Sequence, residues 1–345
     1  YTLSLHDALP ILELNDQRNA LIDELSNYLD IEVVIEPLDI GGGKTIDELV
    51  IKLKGSAYPD GSEVTIVDRG NFNKLEVFEN GDKITIGITR RDAAGEFIED
   101  SGQIKYENID ITGGKVQGFL KFLNGKGEFA SATADDTEKA IGIQYYKNML
   151  DTLANKFAGI MNDLNKSLKL DTDGNPVLDG EGKYVYEPRD LFATKDGSGT
   201  ITAGNIKISD DWAKAKDSYI TNSKMPPKGD NSGATDNILR MINSFQVAEE
   251  YETADGTPLF KGTFQEFLSF TITRLNLQVS STGTSYETYS ETLFHIDYAR
   301  NSMSSVDLNE EGVNLLQYSK SYNAAARLMT ILDEMLDTLI NRMGV

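Results

Sequence analysis

Heptad spacing at the C-terminal end constrains this chain more than any other feature. From Leu308, steps of seven reach Leu315, Tyr322, Met329, Leu336 and Met343, and a second line runs through Tyr318, Ala325, Leu332 and Leu339. Interleaved three and four apart, these are the a and d positions of a coiled-coil seam, which a helix buries against a partner. The outer face carries Lys320, Asn323, Arg327, Thr330, Glu334 and Asp337. Asp307 supplies an N-cap side chain and Glu310, three residues on, completes a capping-box-like start. Spacing alone leaves two occupants open for the seam: a helix of another subunit, or the protein's own domain.

The rest of the chain must be explained around that helix. Residues 11–29 read as an amphipathic helix with Ile11, Leu14, Leu21, Leu25 and Tyr28 on one line and Arg18 interrupting it. The period then falls to two. Residues 31–35, 48–53, 63–67, 75–78, 83–88 and 103–111 are β-branched or alternating runs, separated by Asp60-Gly61, Asn80-Gly81 and Gly113-Gly114, dipeptides that tolerate positive φ at hairpin corners. A helix is expected from 136 to 168, with Ile143, Tyr146, Leu150, Leu153, Phe157, Ile160 and Leu164 as its buried line and the 11–29 helix as a possible partner. Between 169 and 227 the residues turn to Gly, Asp, Asn and Pro, with strand-like pieces at 183–186 and 205–208. Helices are expected again over 238–247 and 264–302.

The reading is an α+β chain of elongated, multi-domain form. Residues 11–30, 119–168 and 236–302 form a heptad-patterned helical rod, 31–118 an inserted antiparallel β unit, 169–235 an irregular excursion with a small β element, and 303–345 a terminal assembly helix. Residues 1–10 fit neither a signal peptide nor the pattern that follows and read as a non-native leader.

Local patterns that imitate chemistry fail on inspection. Gly41-Gly-Gly-Lys-Thr45 ends like a phosphate-binding loop, but Leu38 stands where the first glycine belongs and an alternating run follows instead of a helix. Asp171-Thr-Asp-Gly-Asn-Pro176 starts like a calcium loop, but Pro176 occupies the sixth position, which needs glycine. Only His6 and His295 are present, so neither a zinc cluster nor a well-placed histidine base is available. Carboxylate pairs such as Asp135-Asp136, Asp210-Asp211 and Glu249-Glu250 arise freely in a chain with 55 acidic residues. The reading is therefore no enzyme, no cofactor and no metal. A formal charge of −22 excludes the basic footprint that nucleic acid requires, no window is apolar enough to span a membrane, and zero cysteines remove disulfide and thiolate chemistry.

The terminal stretch resembles a known family. Ser302-Met-Ser-Ser-Val306, Asp307-Leu-Asn-Glu-Glu311, Asn314-Leu-Leu-Gln-Tyr318, Tyr322-Asn-Ala-Ala-Ala-Arg327 and Asp333-Glu-Met-Leu-Asp-Thr-Leu-Ile340 are similar to the C-terminus of the flagellar hook-associated FlgK family, a signature shared more loosely by other flagellar axial proteins. Leu14-Asn-Asp-Gln-Arg-Asn-Ala-Leu-Ile-Asp-Glu-Leu25, Gly113-Gly-Lys-Val-Gln-Gly-Phe-Leu120 and Leu150-Asp-Thr-Leu-Ala-Asn-Lys-Phe157 extend the likeness. The resemblance implies a structural adaptor at the hook–filament junction, exported by the flagellar type III pathway to the cell exterior. It implies as partners copies of itself, the hook protein, the second junction protein and a chaperone on the terminal helix. The likeness departs in one respect: members of the family begin with a conjugate N-terminal helical segment, and none is read before Ile11, as expected of a fragment. Another axial protein of hook or flagellin type is the nearest alternative, and a carbohydrate-binding or hydrolytic protein using the β unit or the excursion is a more distant one.

Overall fold

The computed structural model describes residues 5–92, 94–215, 219–225, 234–304 and 308–341. The chain divides into two compact units, Tyr1–Ile272 and Thr273–Val345. It is α+β, as expected, with its strands confined to the first unit.

The first unit opens with α1 (Leu5–Tyr28), whose first turns include residues read above as a leader. Strands β1 (Ile31–Gly41), β2 (Lys44–Ala57), β3 (Glu63–Asp68) and β4 (Asn71–Phe72) form an antiparallel meander in chain order. Strand β5 (Leu75–Asn80), β6 (Lys83–Thr89) and β9 (Tyr106–Ile109) form a second antiparallel sheet, and β7 (Glu99–Asp100) pairs with β8 (Gln103–Ile104) in a small ribbon. The apolar alternation of these strands supplies one core: Ile51, Leu53, Val64 and Ile66 from the first sheet meet Ile86, Ile88 and Ile109 from the second. Gly87, between Ile86 and Ile88, has no room for a Cβ because the Phe78 and Tyr106 side chains close over it, their rings in edge contact at 5.5 Å. Glycine there is a packing requirement.

Helix α1 docks on this core through Ile22 and Leu25, and Leu29, just past its end, is buried there. Of the line the apolar spacing picks, Leu25 reaches the core, whereas Leu14, Leu21 and Tyr28 are exposed, so the buried face is rotated from the expected one. Helix α2 (Gly114–Asn124) follows, and the Gly113-Gly114 pair expected at a hairpin corner is its N-terminus. The pair is needed for approach: a Cβ on Gly114 would strike the Tyr28 carbonyl, and one on Gly113 the Asp30 side chain.

The helix expected over 136–168 is interrupted. A short α3 (Asp136–Lys139) precedes α4 (Ile143–Asn165), and between them Gly142 packs backbone to backbone on Gly125, whose carbonyl accepts from the Tyr145 amide at 2.9 Å. The buried line of α4 is Tyr145, Met149, Ala158, Met161 and Asn165, whereas Ile143 and Leu150 are exposed. The helix packs in a second core with Tyr251 and Phe267, while α1 packs in the first, so the two helices anticipated as partners serve different cores.

The excursion is irregular, as its composition predicts. Short pairs β10 (Ser167–Leu168) with β11 (Tyr186–Glu187) and β12 (Phe192–Thr194) with β13 (Ile206–Ile208) are followed by α5 (Asp210–Lys214) and α6 (Asp236–Ser244). Strands β14 (Glu249–Glu252) and β15 (Pro258–Gly262) then form a hairpin that stacks Tyr251 on Phe267, ring centroids 4.1 Å apart, at the start of α7 (Phe264–Ser304). Thr263 and Glu266 start α7 with a reciprocal capping box: the Thr263 amide donates to the Glu266 carboxylate at 2.8 Å and the Glu266 amide to the Thr263 hydroxyl at 3.3 Å. Helix α8 (Leu308–Asn341) ends the described chain, and the Asp307 cap lies outside the described residues.

Candidate assembly surface

The terminal helix forms over the residues that the heptads mark, and the structure leaves its seam in solvent. Tyr322 is 76% exposed and Leu332 45%, and Leu315, Tyr318, Ala325, Met329 and Leu336 are exposed as well. Leu308 and Leu339 lie within α8, and Met343 is outside the described residues. From Val279 to Met303 and from Asn309 to Leu336 every residue except Asn314 is exposed. A stripe of this size is what a chain hides once it has a partner, since scattered apolar residues are normal on a surface but a continuous apolar line is not.

Two features of this surface escaped the sequence reading. Helix α7 carries its own seam within the second unit: Leu275, Val279, Tyr286, Tyr289, Leu293, Ile296 and Met303 fall at alternating three- and four-residue steps, with Thr282 and Arg300 filling the remaining positions. Polar Ser and Thr residues in its middle masked the pattern. Thr284, Thr288 and Thr292 each donate to the carbonyl four residues back, at 3.1, 2.9 and 2.9 Å, so their hydroxyls are satisfied inside the helix. On α8 the stripe also widens toward the C-terminus, where Leu328 and Met335 occupy the position just before Met329 and Leu336 and are exposed with them. A seam widened by apolar g positions suits contact with more than one neighbouring helix, whereas a strict a/d line suits one.

The sites that could have carried chemistry are structural. Gly41 to Gly43 close the β1–β2 hairpin with positive φ at all three glycines, so a strand follows where a phosphate-binding loop opens a helix. Asp171 accepts from the Asp173 and Asn175 amides at 3.0 and 2.7 Å, an Asx turn, and Asp179 repeats it with Glu181 and Lys183, both at 2.9 Å. Among the described residues no group of three or more acidic or histidine side chains is placed to hold a metal ion. His295 lies exposed on α7, 3.9 Å from Glu291. Members of the acidic pairs have basic partners: Asp135 caps α3 and binds Lys83 at 2.6 Å, Asp210 pairs with Lys207, Glu249 with Lys156 and Glu250 with Lys261. Among the described residues no helix is long and apolar enough to cross a membrane.

Residues 7–179 match the family model of the flagellar hook-associated protein FlgK helical domain. The chain belongs to the FlgK family. Residues 300–343, which contain all of α8, match the C-terminal model of the flagellar basal body rod proteins FlgE, FlgF and FlgG. Flagellar hook-associated protein 1 of Bacillus subtilis is 28% identical over 339 residues, covering 96% of this chain and 59% of the relative. Its counterpart in Salmonella typhimurium is 22% identical over 370 residues, covering 95% of this chain and 64% of the relative. The chain therefore spans about six-tenths of the length of these relatives. The FlgK family is structural, not enzymatic, and its members are components of the bacterial flagellum.

Proposed function

We propose that the chain is the larger part of an axial adaptor at the hook–filament junction, assembled through its terminal helices. The observation that carries this reading is the exposed seam of α8, a stripe patterned for burial in a chain whose helix offers it only water. Neighbouring subunits would supply the partner helices, so that a seam stable only on association becomes ordered in the assembly. The partners are further copies of the protein, the hook protein and the second junction protein. A chaperone would cover the α8 seam before export through the flagellar type III pathway. These 345 residues contain no cysteine, so a thiol introduced among them is unique within this stretch. A single cysteine at Met329 in the seam, or at Lys320 on the outer face, is introduced into the full-length protein and probed with a maleimide. The expected result is that Met329→Cys reacts in free protein and is protected in isolated flagella, while Lys320→Cys reacts in both. Equal reaction of Met329→Cys in both states would overturn the proposal.

A further inference from the structure

The chain contains two Asn-Gly steps, Asn80-Gly81 and Asn124-Gly125, and the structure gives them opposite environments. We infer that Asn80-Gly81 is a site of spontaneous backbone modification, converting to aspartate and isoaspartate, and that Asn124-Gly125 is protected from the same reaction by the fold.

In this reaction the Gly81 nitrogen attacks the Asn80 side-chain carbonyl carbon. The new C–N bond closes a five-membered succinimide, the bond to Nδ2 breaks, and the amide nitrogen leaves as ammonia with the proton lost from Gly81. Solvent water then opens either imide carbonyl, leaving Asp or isoAsp at position 80. The step needs a glycine with no Cβ to obstruct the attack, an amide not engaged elsewhere, and a side chain free to rotate.

The β5–β6 hairpin meets all three conditions. Asn80 pairs with Lys83 at the end of the ladder, so Gly81 and Asp82 form the whole loop. Gly81 has φ 62° and no other atom within 4 Å of where a Cβ would sit. A two-residue loop with positive φ at its first position is the type II′ arrangement, and the first central N–H of such a turn points to water instead of across the ladder. Asn80 is exposed and makes one long contact, Nδ2 to the Thr85 hydroxyl at 3.5 Å.

Asn124 is the internal control. It is 1% exposed, its Oδ1 accepts from the Ile84 amide and its Nδ2 donates to the Ile84 carbonyl, both at 2.7 Å. The Gly125 amide is committed to the Lys121 carbonyl at 3.0 Å, and backbone atoms of Lys121, Ala140 and Gly142 crowd Gly125. Reaction there requires the α2 end to open first, which slows it by roughly a hundredfold or more relative to an exposed turn.

The test is peptide mapping of folded protein warmed at mildly alkaline pH, with isoaspartate detected by enzymatic methylation. The expected result is isoaspartate in the peptide holding Asn80, none in that holding Asn124, none at position 80 in Asn80→Gln, and label at both steps once the chain is unfolded in urea. Folded protein in which Asn80 stays intact while the urea-unfolded chain converts there would overturn the inference, as would equal conversion of the two steps in folded protein.

Discussion

Four asparagines do work that their chemistry hides in a sequence. Asn124 pairs with both backbone groups of Ile84, and Asn162 does the same for Phe192, with its Nδ2 donating to the carbonyl at 2.9 Å and its Oδ1 accepting from the amide at 2.9 Å. Asn165 donates to the Arg189 carbonyl at 2.7 Å and accepts from the Thr221 amide at 2.8 Å, while Asn237 donates to the Leu164 and Thr221 carbonyls. Asn124 thereby ties the end of α2 to β6, while Asn162, Asn165 and Asn237 tie the irregular excursion and the start of α6 to the C-terminal half of α4. Asparagine ordinarily signals a turn, and the partners lie far along the chain on backbone atoms common to every residue, so no motif betrays them. Asn165→Ala is expected to cost about 2–4 kcal/mol, because it strands buried backbone donors and acceptors, measurable as a lower denaturant midpoint at constant m-value. Tyr251 presents the opposite case. It is 1% exposed, its hydroxyl has no hydrogen-bond partner, and burial, aided by the neighbouring Glu249, pushes its phenol up to about 12. Tyr251→Phe keeps the stack on Phe267 and removes an orphaned hydroxyl, so it is expected to leave stability unchanged or raise it by up to about 1 kcal/mol in the same measurement.

At the scale of elements, strands were easier to read than helix faces. Period-two alternation and the Asn80-Gly81 corner locate β5 and β6, because register in a half-buried sheet is fixed by which face is apolar. The expected face of helix α4 holds only in part, with Tyr146, Leu153 and Phe157 packed but Ile143 and Leu150 exposed, because its apolar residues surround it. Phe157 meets Phe192, Phe245 and Phe264 while Tyr145 and Met149 enter the second core, so periodicity has no single stripe to find. The contact between β6 and α3 was invisible for another reason: Lys83 reaches Asp135 at 2.6 Å and Glu138 at 2.8 Å across more than fifty residues of chain. Burial opposes ionisation of Asp135, but the hydrogen bonds from Lys83, from the Thr137 hydroxyl and from the Glu138 amide outweigh it and hold the carboxyl well below the usual carboxylate range. A carboxyl depressed on folding contributes stability that is complete above its unfolded value of about 3.9 and is lost as pH falls through the folded value. Lys83→Met is expected to cost about 1–2 kcal/mol at neutral pH, with both partners partly solvated, and to flatten the fall of melting temperature below pH 4. An unchanged acid limb in that variant would mean that other carboxylates carry the dependence.

At the scale of the molecule, the two units should respond differently to the loss of an apolar side chain. Met149 is fully buried in the second core, so Met149→Ala is expected to lower stability by about 2–5 kcal/mol through lost burial and the cavity left behind. Leu332 sits in the α8 seam and is exposed, so Leu332→Asp in the full-length protein adds a carboxylate that the free chain can keep hydrated at little cost. In the assembly proposed above, the same carboxylate would enter an apolar seam between subunits, where an unpaired charge is driven to neutralise or to exclude its neighbour, and the penalty would recur at every such contact. The expected outcome is asymmetric: monomer melting within about 0.5 kcal/mol of the parent, as for a surface substitution, together with loss of incorporation between hook and filament. Calorimetry of the free protein and filament attachment in cells carrying the variant report the two halves separately. A drop in monomer stability comparable to that of Met149→Ala would show that α8 docks on its own chain, and the assembly reading of the seam would then fail even if filaments were also lost.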